Sequence, residues 1–179
     1  DLETVRAVAR ASDAALWVDA NEAFSPKEAP GIAHEIKSMR VRLIEQPVPA
    51  AAGSEALRRV TEAAEPLPVV ADESAVDARD VPRLHGCVSG VNVKLAKCGG
   101  IRGALRMIHV ARAHGMLVML GCMVETSLGI AAAAQISGLV DFVDLDGAML
   151  LADDPFAGPI YEKGRIRLQE APGLGVEPR

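Results

Sequence analysis

Three short apolar runs in the first half of the chain each end in a carboxylate. LWVDAN reaches Asp19, LIEQPVP reaches Glu45 and LPVVADES reaches Asp72, so the acids stand 26 and 27 residues apart. That interval is the length of one strand, one helix and their two loops. Adjacent parallel strands lie about 5 Å apart, so carboxylates at equivalent strand ends converge on one spot. An all-oxygen set of this kind is what a hard cation such as Mg²⁺ takes. Any one of the three alone reads as an ordinary loop acid. The joint pattern is informative, because barrel folds keep their sites at the ends of consecutive strands.

The same interval recurs down the chain. The sequence predicts a helix over 1–15, then strands at Leu16–Asp19, Val41–Glu45 and Pro68–Ala71. A fourth is expected over residues 90–98, a fifth at Leu117–Gly121 and a sixth at Phe142–Asp146. Helices are expected from Pro26 to about Met39, with Pro30-Gly31 interrupting it, and from Ser54, as N-cap, through Ala64. A third runs from Ile101 to His114, with Ile101, Leu105, Ile108 and Ala111 on its apolar face and Gly115 closing it. An Ala-rich helix capped by Thr126 or Ser127 runs to Ser137. Six units of 22–27 residues in unbroken order point to a (β/α) barrel rather than an open Rossmann sheet, and no GxGxxG follows the first strand. Six units leave two strand edges unpaired. The expectation is therefore an incomplete barrel over 1–158, with at least one βα unit upstream in the parent protein, and a tail over 159–179 that turns at Lys163-Gly164.

Composition narrows the classes. Half of the 179 residues are hydrophobic but only one is Trp, one Tyr and three Phe, so the core must be built of Ala, Val, Leu and Ile. That suits buried parallel strands under Ala-rich helices. The net charge is −5 and no basic block stands out, which argues against a nucleic-acid partner. The apolar run from Met116 to Met123 is too short to span a bilayer. Cys87, Cys98 and Cys122 form no CxxC pair and no disulfide framework, so a reducing, cytoplasmic setting is expected.

Other polar residues fall at strand ends too. Asn92 and Lys94 share a face of the fourth strand. A lysine pointing into an apolar barrel is costly to bury, and both desolvation and a nearby cation favour the neutral amine that a general base needs. The rival reading is a snorkelling lysine, or one paired to a neighbouring acid. Lys97, of opposite parity, is expected to be structural or supporting. Asn21 and Glu73 read as groups that orient the ligands beside them. Asp144 and Asp146 bracket Leu145 and make a good receptor for an ammonium group. Glu125 follows the fifth strand. The four histidines never form HExxH and read as surface or packing residues. Gly99-Gly100 fits an anion site at a helix start or a plain tight turn.

In combination these segments resemble a known family. DAN (19–21), IEQP (44–47), ADES (71–74), VKLAKCGGI (93–101), GCMVETSLG (121–129) and VDLDGAMLLADDPF (143–156) are similar, in order, to the C-terminal barrel of the enolase superfamily. The likeness is to its muconate-lactonizing-enzyme-like branch, and most to dipeptide epimerases. It implies a modified (β/α)₇β barrel with a separate capping domain, against which the tail would pack. It implies Mg²⁺ on Asp19, Glu45 and Asp72, Lys94 as one acid/base, Glu125 behind the substrate, and Asp144 with Asp146 on a dipeptide's α-ammonium.

The reaction implied is transfer of the proton α to a carboxylate, through an enediolate, inverting one dipeptide centre. A second lysine, which that family carries on an earlier strand, would have to come from an upstream segment, and the capping domain is expected there too. The alternatives are an o-succinylbenzoate synthase or N-acylamino-acid racemase reaction on the same scaffold, or a non-catalytic metal-binding remnant. The acid pair favours a substrate with a free amine. Assembly into a homo-oligomer is left open.

Overall fold

The computed structural model describes residues 2–179. Six parallel strands form one sheet in sequence order: β1 (Leu16–Asp19), β2 (Val41–Glu45), β3 (Val69–Ala71), β4 (Gly90–Lys94), β5 (Leu117–Gly121) and β6 (Phe142–Val143). Helix α1 (Leu2–Ala11) precedes β1, and between the strands run α2 (Ala29–Ile36), α3 (Ser54–Ala64), α4 (Val81–Leu84), α5 (Leu95–Cys98), α6 (Ile101–Ala113) and α7 (Ser127–Ala134). The result is a partial, open (β/α) barrel with β1 and β6 at its two edges.

Alternation along the strands builds two different cores. One set of side chains, including Ile44, Val69, Ala71, Val91, Val93, Val118 and Leu120, is buried in the main cluster with Leu57, Val60, Met107 and Ile108 of the helices. The other set points inward and forms a small separate cluster of Leu43, Val70 and Met119, with Phe142 against it. Trp17 meets Phe142 edge to face, with ring centroids 5.5 Å apart. The first and last strands therefore touch through aromatic side chains. Above this apolar floor the inward positions turn polar, at Asp19, Glu45, Asp72, Asn92 and Lys94.

Several boundaries differ from the sequence expectation. The fourth strand stops at Lys94, and Leu95–Cys98 forms one helical turn closed by Gly99 in the left-handed region (φ 84°). The sixth stops at Val143, so Asp144 and Asp146 lie beyond the strand. Helix α2 starts at Ala29, because 26–28 make a turn that Ser25 closes by binding Glu28. Gly53, not Ser54, caps α3. Helix α6 buries Ala104, Met107, Ile108 and Ala111, while Ile101 is exposed and Leu105 only half-buried. Its inner face is thus made of Ala104, Met107, Ile108 and Ala111 rather than Ile101 and Leu105.

The Lys163-Gly164 turn joins β8 (Ile160–Glu162) to β9 (Arg165–Arg167), both turn residues having positive φ as a tight hairpin needs. Tyr161, Ile166 and Leu168 of this tail pack on the main core, and Tyr161 Oη donates to Leu145 O at 3.1 Å. Strand β10 (Glu177–Pro178) pairs antiparallel with β7 (Phe156–Ala157). Among the described residues no helix is long and apolar enough to cross a membrane.

Candidate functional site

Register places Asp19 directly beside Glu45 on β1 and β2, and Glu45 beside Val70, two residues short of Asp72. The three acids therefore end three neighbouring strands. Glu45 and Asp72 are buried and Asp19 is exposed. Burial pushes the Glu45 carboxyl up to about 7. The bond from Asn92 works against that shift, while the charges of Asp19 and Asp72 add to it. The three thus share one electrostatic neighbourhood.

They are not yet a closed ligand set: among the described residues no group of three or more His, Cys, Asp or Glu side chains stands arranged to hold a metal ion. Each carboxylate is bonded to protein instead. Asp19 Oδ1 accepts the Asn21 N–H at 2.8 Å. Glu45 Oε1 accepts from Asn92 Nδ2 at 2.6 Å. Asp72 Oδ2 accepts from Lys94 Nζ at 2.5 Å, and its Oδ1 from Lys97 Nζ. The donor set itself, three carboxylates with one raised chiefly by burial and further by its neighbours' charge, fits a hard divalent cation.

Lys94 makes the pairing with a neighbouring acid that the sequence offered as the rival to a neutral base. Burial would lower its pKa, but the Asp72 bond and the charges of Asp72, Glu45 and Glu73 outweigh that and raise it above the ordinary lysine value. In return Asp72, which burial alone would raise, is held below the usual carboxylate value by Lys97 and Lys94. Lys97 reaches further than its parity suggests, because α5 swings it back over the strand end. Besides the carboxylate it donates to Asp72 O at 2.7 Å and Asn92 O at 3.2 Å.

Asn92 is 1% exposed, and its Oδ1 has no partner among the described residues. The side chain fits only because residue 121 on the next strand is glycine. A Cβ there would stand 2.6 Å from Nδ2 and Oδ1 of Asn92. Glu73 is half-buried with Oε2 unpartnered among the described residues, and burial, with Asp72's charge, raises its carboxyl.

The residues expected to meet substrate lie on the next two loops. Asp144 and Asp146 are exposed on either side of buried Leu145. The protein crowding Asp144, and the charge of Asp146, raise its carboxyl. Both acids line a cavity of about 630 Å³ between β6 and the tail hairpin, together with Val143, Met149, Tyr161 and Arg165. Glu125 is turned onto its own loop, where Oε1 accepts the Met123 N–H at 3.1 Å and the carboxylate lies over Gly129. Asn21 is exposed in a left-handed turn with Glu22 (φ 44° and 64°).

Two residues that the sequence does not single out support this layer. Gln46 is fully buried between the turns that follow β2 and β3. Gly121 makes room for Asn92. Neither carries a signal of its own: Gln46 reads as a strand stop and Gly121 as the end of a strand.

A model of the family described as "Enolase C-terminal domain-like" matches residues 1–179. The L-Ala-D/L-Glu epimerase of Bacteroides thetaiotaomicron is 43% identical over 176 residues, covering 98% of this chain and 45% of that protein. A hydrophobic dipeptide epimerase of Flavobacteria bacterium (strain MS024-2A) is 42% identical over 161 residues, 90% of this chain and 46% of that one. Among solved structures, the dipeptide epimerase from Enterococcus faecalis V583 complexed with Mg and the dipeptide L-Leu-L-Tyr superposes with a TM-score of 0.90. It is 35% identical, covering 98% of this chain and 52% of that one. The chain spans about half the length of the curated relatives it matches.

Proposed function

The chain belongs to the enolase C-terminal domain-like family, and from that premise we propose that it carries most of the active site of a dipeptide epimerase. The observation that carries the reading is the buried pairing of Lys94 Nζ with Asp72 Oδ2 at 2.5 Å, inside the polar layer that also holds Glu45. It sets a lysine beside a candidate cation ligand at the carboxyl ends of barrel strands, the face where such folds do chemistry.

Asp19, Glu45 and Asp72 would hold Mg²⁺, which when bound supplies positive charge for the substrate carboxylate as its α-proton leaves. Lys94 takes or returns that proton on one face of the α-carbon. A second base on the opposite face is required for inversion, and we assign it to an upstream segment of the full-length protein. Asn92 steadies Glu45, and Lys97 steadies the backbone and carboxylate of Asp72. Asp144 and Asp146 accept hydrogen bonds from the α-ammonium, a group that a dipeptide has and an N-acylated amino acid lacks. The curated relatives above act, by name, on Ala-Glu and on hydrophobic dipeptides. Dipeptides are therefore the substrate class proposed, with the side chain unspecified.

The test is incubation of the full-length protein with Mg²⁺ and L,L-dipeptides in D₂O, followed by proton NMR. Deuterium should enter the α-position of one residue, and its epimer should accumulate. A folded protein that leaves the α-protons of a panel of acidic, apolar and basic dipeptides in place would overturn the proposal.

A further inference from the structure

We propose that Gln46 is a positioning residue, which fixes where Asp72 stands relative to Glu45 and Asp19; this rests on the reading of those three acids as a cation site. Gln46 follows Glu45 directly and is 0% exposed. Its side-chain amide has two donor and two acceptor places, and the structure fills all four. Oε1 accepts the N–H groups of Asp72 (2.8 Å) and Ser74 (3.2 Å). Nε2 donates to Val48 O (2.8 Å) and to Ser74 Oγ (2.9 Å).

The backbone of the same residue completes the tie. Its N–H donates to Val70 O at 2.9 Å, and its carbonyl accepts the Glu22 N–H at 2.8 Å. One residue therefore bonds to the turn after β1, the turn after β2 and the turn after β3. The first two follow directly on Asp19 and Glu45, the last residues of β1 and β2, and the third carries Asp72. On its far side Asp72 is held by Lys97, through both its carbonyl and its carboxylate. The Asp72 backbone is thus gripped at N–H by Gln46 and at C=O by Lys97.

Backbone conformation supplies a second, independent observation. Gln46 has φ +33°, in the region that side chains with a Cβ rarely occupy and glycine takes freely. A turn that only had to end the strand would be easier to make with glycine. A strained backbone kept at a site's edge points to a side chain that is needed there. Mg²⁺ requires near-ideal octahedral oxygen geometry, whereas Ca²⁺ tolerates irregular sites and longer bonds. A device that fixes one ligand turn against another therefore matters more to the smaller ion.

The test uses the full-length protein, with Gln46→Met, Gln46→Gly and Ser74→Ala. Folding is checked by circular dichroism and thermal melting, and Mg²⁺ and Ca²⁺ affinities are measured by titration calorimetry. The Met and Gly variants should bind Mg²⁺ about 10–100-fold more weakly, the usual effect of losing a group that orients a ligand. Ca²⁺ should weaken less, so the Mg²⁺/Ca²⁺ preference falls. This holds for Gln46→Gly even though it relieves the backbone. Ser74→Ala, which removes a single acceptor from Nε2, should lose about 2–10-fold, and it keeps the test open if the Gln46 variants do not fold. A merely structural Gln46 lowers the melting temperature and leaves both affinities of the folded protein unchanged, which would overturn the proposal. A wild-type protein that binds no Mg²⁺ would instead remove the cation-site reading, and this inference with it.

Discussion

Gly121→Ala tests the polar layer without touching any candidate ligand or base. The added Cβ would stand 2.6 Å from both Nδ2 and Oδ1 of Asn92 and 3.0 Å from its Cγ. Asn92 is 1% exposed and cannot swing into solvent. To admit the methyl it must give up its 2.6 Å bond to Glu45 Oε1. Overpacking a close-packed interior costs about 1–3 kcal/mol, and a hydrogen bond to a charged group is worth about 1.5–3 kcal/mol. The expected loss is therefore about 2.5–6 kcal/mol, a large share of the 5–15 kcal/mol or so that holds a typical domain. The assay is urea unfolding of the wild type, Gly121→Ala, Asn92→Ala and the double variant. Truncating Asn92 removes the atoms nearest the new methyl, so Gly121→Ala in that background should cost under about 1 kcal/mol, leaving a coupling of about 1.5 kcal/mol or more. Equal penalties in both backgrounds would show that the glycine answers to something other than Asn92.

Lys94→Ala in the full-length protein should abolish epimerisation, while α-proton exchange in D₂O survives for the one stereoisomer whose proton faces the opposite base. NMR of each epimer reads this directly, and equal survival for both would move the role to Lys97. Asp146→Asn should reduce kcat/KM for a dipeptide by about 1.5–3 kcal/mol and spare an N-acylated substrate; equal losses on both would make the acid pair structural. Asp141, on the outside of the barrel, is pushed up by partial burial, but Arg112 (2.6 Å) and the Val118 N–H (2.8 Å) outweigh this and hold its carboxyl below the usual carboxylate range. Its contribution to stability is then complete above the unfolded value and fades as pH falls through the lower folded one. Asp141→Asn should flatten the acid limb of a stability–pH curve, and an unchanged limb would refute the pairing.

The order of strands and helices was legible because alternation and a near-constant interval persist through the chain. The acids at 19, 45 and 72 announced themselves by recurring at one place in that interval. What stayed hidden depends on contacts across strands. Lys97 looks remote by parity, yet the turn of helix at Leu95–Cys98 brings it onto Asp72. Gln46 reads as punctuation, because no local pattern separates a buried amide with four partners from an exposed one that ends a strand. The sequence left Lys94 between a neutral base and a lysine paired to a neighbouring acid, and no local pattern reveals that Asp72, 22 residues away, stands 2.5 Å from its amine. The exposed face of α6 shows the same limit: periodicity places a helix more surely than it chooses which of two apolar stripes turns inward.

Trp17 and Phe142 have a use beyond packing. The chain contains a single tryptophan, and it stands where the first and last strands of the curled sheet meet side chain to side chain. Its emission is therefore a gauge of curvature. If the two edges part, whether to admit further strands or because the curl relaxes, the indole loses its aromatic neighbour while the helices outside need not move. Closure of the sheet and integrity of the helical shell can then be followed as separate signals in one sample, the first by tryptophan fluorescence and the second by far-ultraviolet circular dichroism.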